Sequence, residues 1–222
     1  MDDTRAKIIL AAISLLEKGG PGAMTVRRIA AGAGVNTAAV NYHFGSKARL
    51  MEIVLDTTLQ HVFDDWLSVM TTPGLSLYAR IHCFLDMLME GIERYPGIVR
   101  ARLFDPTLMK NSRRDFARGF GIFLDRLQEM ISAEGRDASG NLRLSLAQMI
   151  SSAVTMALVP ELLSAAVESV GTRRETRNLF ISSLVSRFTG IEPELTPGDH
   201  RLMDSLFAMA FSGLEMEICR EP

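Results

Sequence analysis

The chain is poor in the residues that build disulfide, sheet or membrane scaffolds. It holds two cysteines in 222 residues, Cys83 and Cys219. They match no metal-ligand spacing and are too few for a disulfide framework, which points to a reducing compartment and predicts a cytoplasmic protein. No apolar run reaches about 18 residues, so no membrane-spanning helix is expected. The N-terminus, MDDTRAK, is acidic and polar, unlike a signal peptide. β-Branched runs with period-two alternation are missing, and no Gly-rich phosphate loop follows a strand. Aromatics make up 7% and the net charge is −2, which by itself argues against a general nucleic-acid binder.

What is present is helical. Leu, Ile and Ala recur throughout, methionine occurs 13 times, and Gly, Asn and Pro clusters are short and far apart. Hydrophobic content of 47% against 23% charged is that of a globular protein, and the pattern predicts an all-α fold. The charge is unevenly spread. Residues 1–54 hold seven basic and four acidic side chains, a balance of +3, which leaves −5 for the remainder. A positive end on an acidic body is expected where one end meets phosphate.

The first 50 residues divide into helices with legible ends. Asp2, Asp3 or Thr4 can cap a helix to about Lys18, with Ile8, Ala12, Leu15 and Leu16 on one side and Gly19-Gly20-Pro21 ending it. Thr25 caps a short helix with Val26, Ile29 and Ala30 inward. Gly32 and Gly34 mark a turn, and Asn36 caps Thr37–Phe44. Ser46 then caps a long helix to about Met70. Beyond it, helices are expected near 76–94, 98–104, from Pro106 to about 134, from Leu142 with a kink at Pro160, near 175–188, and after Asp199.

Two short helices joined by a tight turn, the second with an outward face, form the pattern of a helix-turn-helix DNA reader. At 100° per residue Val40 and Phe44 point inward, while Thr37, Ala38, Asn41 and Tyr42 form an arc on the other side. Eight residues span about 12 Å, which fits a major groove. Asn41 can pair with adenine, and Thr37 and Ala38 can touch a thymine methyl. Tyr42, Lys47, Thr25, Arg27 and Arg28 suit phosphate, and the free amides at the helix starts, Asn36 included, add to it.

These residues resemble a known family. TVRRIAAGAGVNTAAVNYHFGSKARL, residues 25–50, is similar to the DNA-binding segment of the tetracycline-repressor-like (TetR) regulators, and the likeness extends upstream through the first helix. Its most specific element is Tyr42, His43, Phe44 and Lys47. Asn41 stands where many members have a tyrosine, and Pro21 where an aromatic is common. The resemblance implies a three-helix DNA-binding domain over 1–47 and a larger helical ligand-sensing and dimerisation domain over 48–222. It implies a homodimer on a near-palindromic double-stranded operator, most often a repressor, released by a small-molecule effector whose identity is unknown. The DNA-contact set is then Thr25, Arg27, Arg28, Asn36, Thr37, Ala38, Asn41, Tyr42, His43 and Lys47. Two rivals stand beside this reading: a regulator of the same fold controlled by a protein partner, and a helical enzyme or binding module.

The body carries no motif of comparable weight. Leu142, Leu146, Met149, Ile150, Ala153, Val154 and Ala157 form one apolar face, and Leu202, Leu206, Met209, Ala210, Gly213 and Leu214 another. Each is a dimer face or core of the single chain. Met70, Phe84, Met87, Met89, Phe104, Met109, Phe120 and Phe123 would line a pocket or, more commonly, a core. Polar candidates among them are His82, Asp86, Gln148, Ser152 and Thr155. His61 with Asp65, and His82 with Asp86, stand four apart, a spacing that can position two metal ligands. No third ligand or nucleophile is evident, so no enzyme, metal or cofactor is expected.

Overall fold

The structure, a computed structural model, describes residues 3–104, 109–135, 141–166 and 172–217; side chains 3, 59, 109–116 and 212–217 are excepted. Expectations at Met109, Phe116, Gly213, Leu214, Cys219 and the loop after Gly135 fall outside the described residues. All regular structure among the described residues is helical. The elements are α1 (Asp3–Ala23), α2 (Val26–Ala33), α3 (Thr37–Phe44), α4 (Lys47–Thr71), α5 (Leu77–Arg94) and α6 (Pro96–Phe104). They continue with α7 (Met109–Ala133), α8 (Leu142–Leu158), α9 (Pro160–Ala166), α10 (Arg173–Thr189) and α11 (Pro197–Glu217). No single described helix is long and apolar enough to cross a membrane.

Local chemistry sets the helix ends. Gly20 breaks α1 with φ 66° and ψ −172°, a conformation essentially confined to glycine, and Pro21 follows. Between α8 and α9 the chain bends by 104°. Val159, at φ −134° and ψ 71°, precedes Pro160, whose ring disfavours a helical residue before it. α10 starts with a reciprocal capping box between Thr172 and Glu175 and ends on left-handed Gly190.

The chain forms two compact units. The first contains Met1–Asp64, Tyr95–Arg113 and Met209–Pro222. Its core gathers Ile8, Leu16, Ile29, Val40, Phe44, Leu50, Val54 and Ile98, so α6 packs with the N-terminal helices although it comes some 50 residues later. Glu17 on α1 makes that possible. Its carboxylate accepts hydrogen bonds from the backbone N–H of Gly97 (2.7 Å) and Ile98 (2.8 Å), satisfying free donors at the positive end of α6. The other end of α6 is held by Arg102, which donates to the Leu55 carbonyl and lies 3.3 Å from Asp56.

The second unit contains Asp65–Arg94 and Arg114–Ala208. Here α5 is buried almost all round and packs against α8 and α10. The α8 face of Leu142, Leu146, Met149, Ile150, Ala153 and Ala157 is buried in this unit. Of the two readings of that face, core of the single chain is the one realised.

Asp199 shows how the unit ties a loop to a helix. It is 1% exposed and accepts from Ser76 N (3.1 Å), Thr196 N (2.9 Å) and Thr196 Oγ1 (2.8 Å). Burial raises its pKa, but the donors from Thr196 and Ser76 outweigh this and hold the carboxyl below its ordinary value. A carboxyl depressed in the folded state contributes stability in full above its unfolded pKa of about 4, and loses it as pH falls through the folded value. Asp199→Ala should therefore cost about 2–3 kcal/mol at pH 7, by loss of charge-assisted bonds to buried donors, and less at pH 3. Urea midpoints at the two pH values check this, and an equal loss at both would remove the charge from the explanation.

Candidate nucleic-acid interface

The geometry of residues 25–50 is set by caps. Thr25 is extended, and its Oγ1 accepts from Arg28 N at 3.2 Å. Gly34 closes α2 in the left-handed region at φ 67°. Gly32, expected in the turn, is instead helical. A Cβ there would lie 3.3 Å from the Cβ of Ala11, so Gly32 serves the close approach of α2 to α1. Asn36 caps α3, with Oδ1 accepting from Ala39 N at 2.8 Å. Ser46 caps α4 through Arg49 N at 3.1 Å.

The expected inward and outward faces of α3 are both realised. Val40 and Phe44 are 1% and 4% exposed, while Thr37, Ala38, Asn41 and Tyr42 face solvent, Tyr42 at 86%. Large aromatics are seldom left so open, and an exposed arc ending in Tyr42 is a surface suited to a partner. Arg27 and Arg28 are exposed beside it. His43 is half-buried and meets the Tyr42 ring edge-on at 5.2 Å, so it orients that ring. Arg5 of α1 sits 5.7 Å over the Phe44 ring, which brings a further cation to the back of α3.

Lys47 is placed differently from the rest of the expected set. It is half-buried, and Nζ donates to the Pro21 carbonyl at 3.1 Å. It thereby joins the start of α4 to the end of α1, a role that its spacing from Tyr42 did not indicate. Thr25 and Asn36 likewise have their acceptor oxygens engaged by their own helices. The Thr25 hydroxyl hydrogen and the Asn36 amide hydrogens are what they can offer to a phosphate.

In the second unit, the expected pocket residues Phe84, Met87, Met89 and Phe123 are buried core, and Phe104, in the first unit, is 67% exposed. Trp66, Phe84 and Phe120 surround Phe123 at centroid distances of 4.8, 4.9 and 6.4 Å. The indole Nε1 of Trp66 is buried there without a hydrogen-bond partner. His82 and Asp86 are buried, Ser152 is half-buried, and Gln148 and Thr155 are exposed.

Comparison with known proteins agrees with this geometry. Residues 8–54 match the family model described as "Bacterial regulatory proteins, tetR family". The chain is 32% identical over 113 residues to the nucleoid occlusion factor SlmA of Idiomarina loihiensis, a match covering 49% of this chain and 55% of that protein. The chain thus spans about half the length of the curated relatives it matches. Among solved structures, one described as a TetR-family transcriptional regulator of Mesorhizobium loti aligns over 85% of this chain and 99% of its own, with a TM-score of 0.61 at 17% identity. AmtR of Mycobacterium smegmatis aligns over 92% of both chains, with a TM-score of 0.58 at 16% identity. At such identities the structural likeness concerns the fold alone.

Proposed function

We propose, from the match of residues 8–54 to the model of the tetR family of bacterial regulatory proteins, that this chain is a regulator of that kind, which binds a near-palindromic operator as a homodimer and is released by a small-molecule effector. The observation that carries the DNA half of this reading is the exposed arc Thr37, Ala38, Asn41 and Tyr42, set on a core-anchored helix and flanked by Arg27 and Arg28. Asn41 reads a base edge; Arg27, Arg28, Tyr42 and the Thr25 hydroxyl position the helix on phosphate.

Dimerisation uses the faces that the single chain leaves open. On α8 these are Leu144, Gln148, Ser151, Thr155 and the following Val159, at helical spacing; on α10 it is Leu179, 51% exposed. Twofold symmetry then spaces two α3 helices about one DNA turn apart. The effector half of the reading rests on the resemblance to the family, the expected pocket residues Phe84, Met87, Met89 and Phe123 being buried core. The effect of such a ligand is bounded by its differential affinity for the two states.

A second reading has its own support. The relative's name, nucleoid occlusion factor, favours a DNA-binding regulator of the same fold that answers to a protein partner.

Binding to the chain's own upstream promoter DNA, measured against random duplex at several salt concentrations, tests the operator reading. Asn41→Ala should relax preference at one base position by about 1–3 kcal/mol. Arg28→Ala should weaken all duplexes alike and lower the salt slope by about 1. No preference for promoter over random duplex would overturn the operator. Equal effects of both substitutions on every duplex would overturn the division of roles.

A further inference from the structure

Lys47 closes the most specific stretch of the DNA-facing sequence, yet its ammonium is engaged by the protein itself. It is the first residue of α4, where a cation is opposed by that helix's own dipole. The end of α1 offers the opposite field. The last turn of α1 carries no basic side chain, and Lys47 brings one from 26 residues downstream. From a half-buried position Nζ donates to the Pro21 carbonyl at 3.1 Å. The same carbonyl accepts from Met24 N at 3.3 Å, so both of its lone pairs are in use.

Gly20 sets the direction in which the chain leaves α1, and so where the Pro21 carbonyl stands. A Cβ at Gly20 would meet nothing within 4 Å, so the φ of 66° and ψ of −172°, and not crowding, require glycine there. On the other side of the contact, only Gly45 and Ser46 separate α3 from α4. Whatever fixes the start of α4 therefore fixes the end of α3 that bears Asn41 and Tyr42. We infer that Lys47 governs DNA affinity as a positioning residue, holding the start of α4 to the end of α1 and thereby setting the angle of α3, and not as a phosphate contact; this role rests on the DNA-binding reading of α3.

Affinity of the full-length protein for promoter duplex, followed against salt concentration, separates the two roles. A phosphate contact contributes about 0.9 to the slope of log affinity against log salt. Arg28→Ala should lower the slope by about that amount. Lys47→Met keeps the stem and loses the ammonium. It should weaken binding about tenfold with less than half of that change in slope, because a loosened α4 lowers the binding-competent fraction. Gly20→Ala removes no charge and should weaken binding by a similar factor at the parental slope. The double variant should lose little more than either single one, since both open the same contact. Affinities are compared at a temperature where circular dichroism shows every variant folded. A slope lowered by about 0.9 in Lys47→Met would overturn the inference, and so would its parental affinity, or additive losses in the double variant. If the parent binds promoter and random duplex alike, the operator reading falls, and the slopes on random duplex still decide the role of Lys47. If the parent binds no duplex, both fall.

Discussion

Replacing Arg177 with alanine is expected to remove about 3–5 kcal/mol of stability, more than the loss expected for Asp199→Ala. Arg177 is 6% exposed on α10 and faces three carboxylates of α5. Its Nε lies 2.7 Å from Asp86, and its Nη1 lies 2.8 Å from Glu90 and 3.5 Å from Glu93. Arg94 and Arg173 reach Glu90 and Glu93 from the periphery, but among the described residues no other cation pairs with buried Asp86. Burial alone would lower the Arg177 pKa, yet the three carboxylates more than reverse this and raise it. At Glu90, burial pushes the carboxyl up while Arg94 and Arg177 bring it below its usual value. Removing the guanidinium leaves buried negative charge uncompensated, and that penalty dominates. A domain stable by about 5–15 kcal/mol would lose a large part of its margin. Guanidinium-free denaturation, by urea or heat, measures the loss. It should shrink as pH falls through the lowered pKa of Glu90, below that carboxyl's ordinary value. The same loss at pH 3 and pH 7 would mean that lost packing, not stranded charge, sets the cost.

The second large effect concerns Gly97. A Cβ at this position would stand 2.7 Å from the Cα of Glu17, 2.8 Å from the carbonyl oxygen of Leu16 and 2.9 Å from the Glu17 carboxylate. The first two are backbone atoms that cannot swing aside. Gly97→Ala must therefore push α6 away from α1 and break the two bonds that Glu17 accepts. Overpacking of about 1–3 kcal/mol and weakened charge-assisted bonds together give an expected loss of about 2–4 kcal/mol. A double-mutant cycle with Glu17→Ala gives a sharper reading than either change alone. Both substitutions destroy one contact, so their combined loss should fall well short of the sum. Simple additivity would show that the clash with the α1 backbone, which Glu17→Ala leaves in place, sets the whole cost, and that the Glu17 carboxylate bonds add nothing to it.

Short-range rules made the DNA-facing segment readable. Thr25 and Asn36 act on amides three residues away, Gly34 closes its own helix, and the Val40–Phe44 face follows from helical period alone. The same rules misplaced Gly32, because its neighbour Ala11 is remote in sequence. Long-range pairings were not readable for the same reason. Nothing in the local pattern joins Glu17 to Gly97, Asp199 to Ser76, or Arg177 to Asp86. Periodicity marked Leu146, Met149 and Ala153 as an apolar face but not what would cover it, and α5 and α10 do. Lys47 fitted a phosphate by motif, while its ammonium meets the Pro21 carbonyl.

The placement of α6 bears on how such proteins can be recombined. α2 and α3 have eight residues each, well below the roughly 12–15 that an isolated helix needs to persist in water. Their order comes from a shared core that includes Ile98 and Ala101, residues encoded far downstream. A chimera that grafts residues 1–50 onto another body would leave Glu17 facing a foreign helix. To transplant the reading head intact, a designer must carry two separate stretches of sequence, the second beginning at Tyr95.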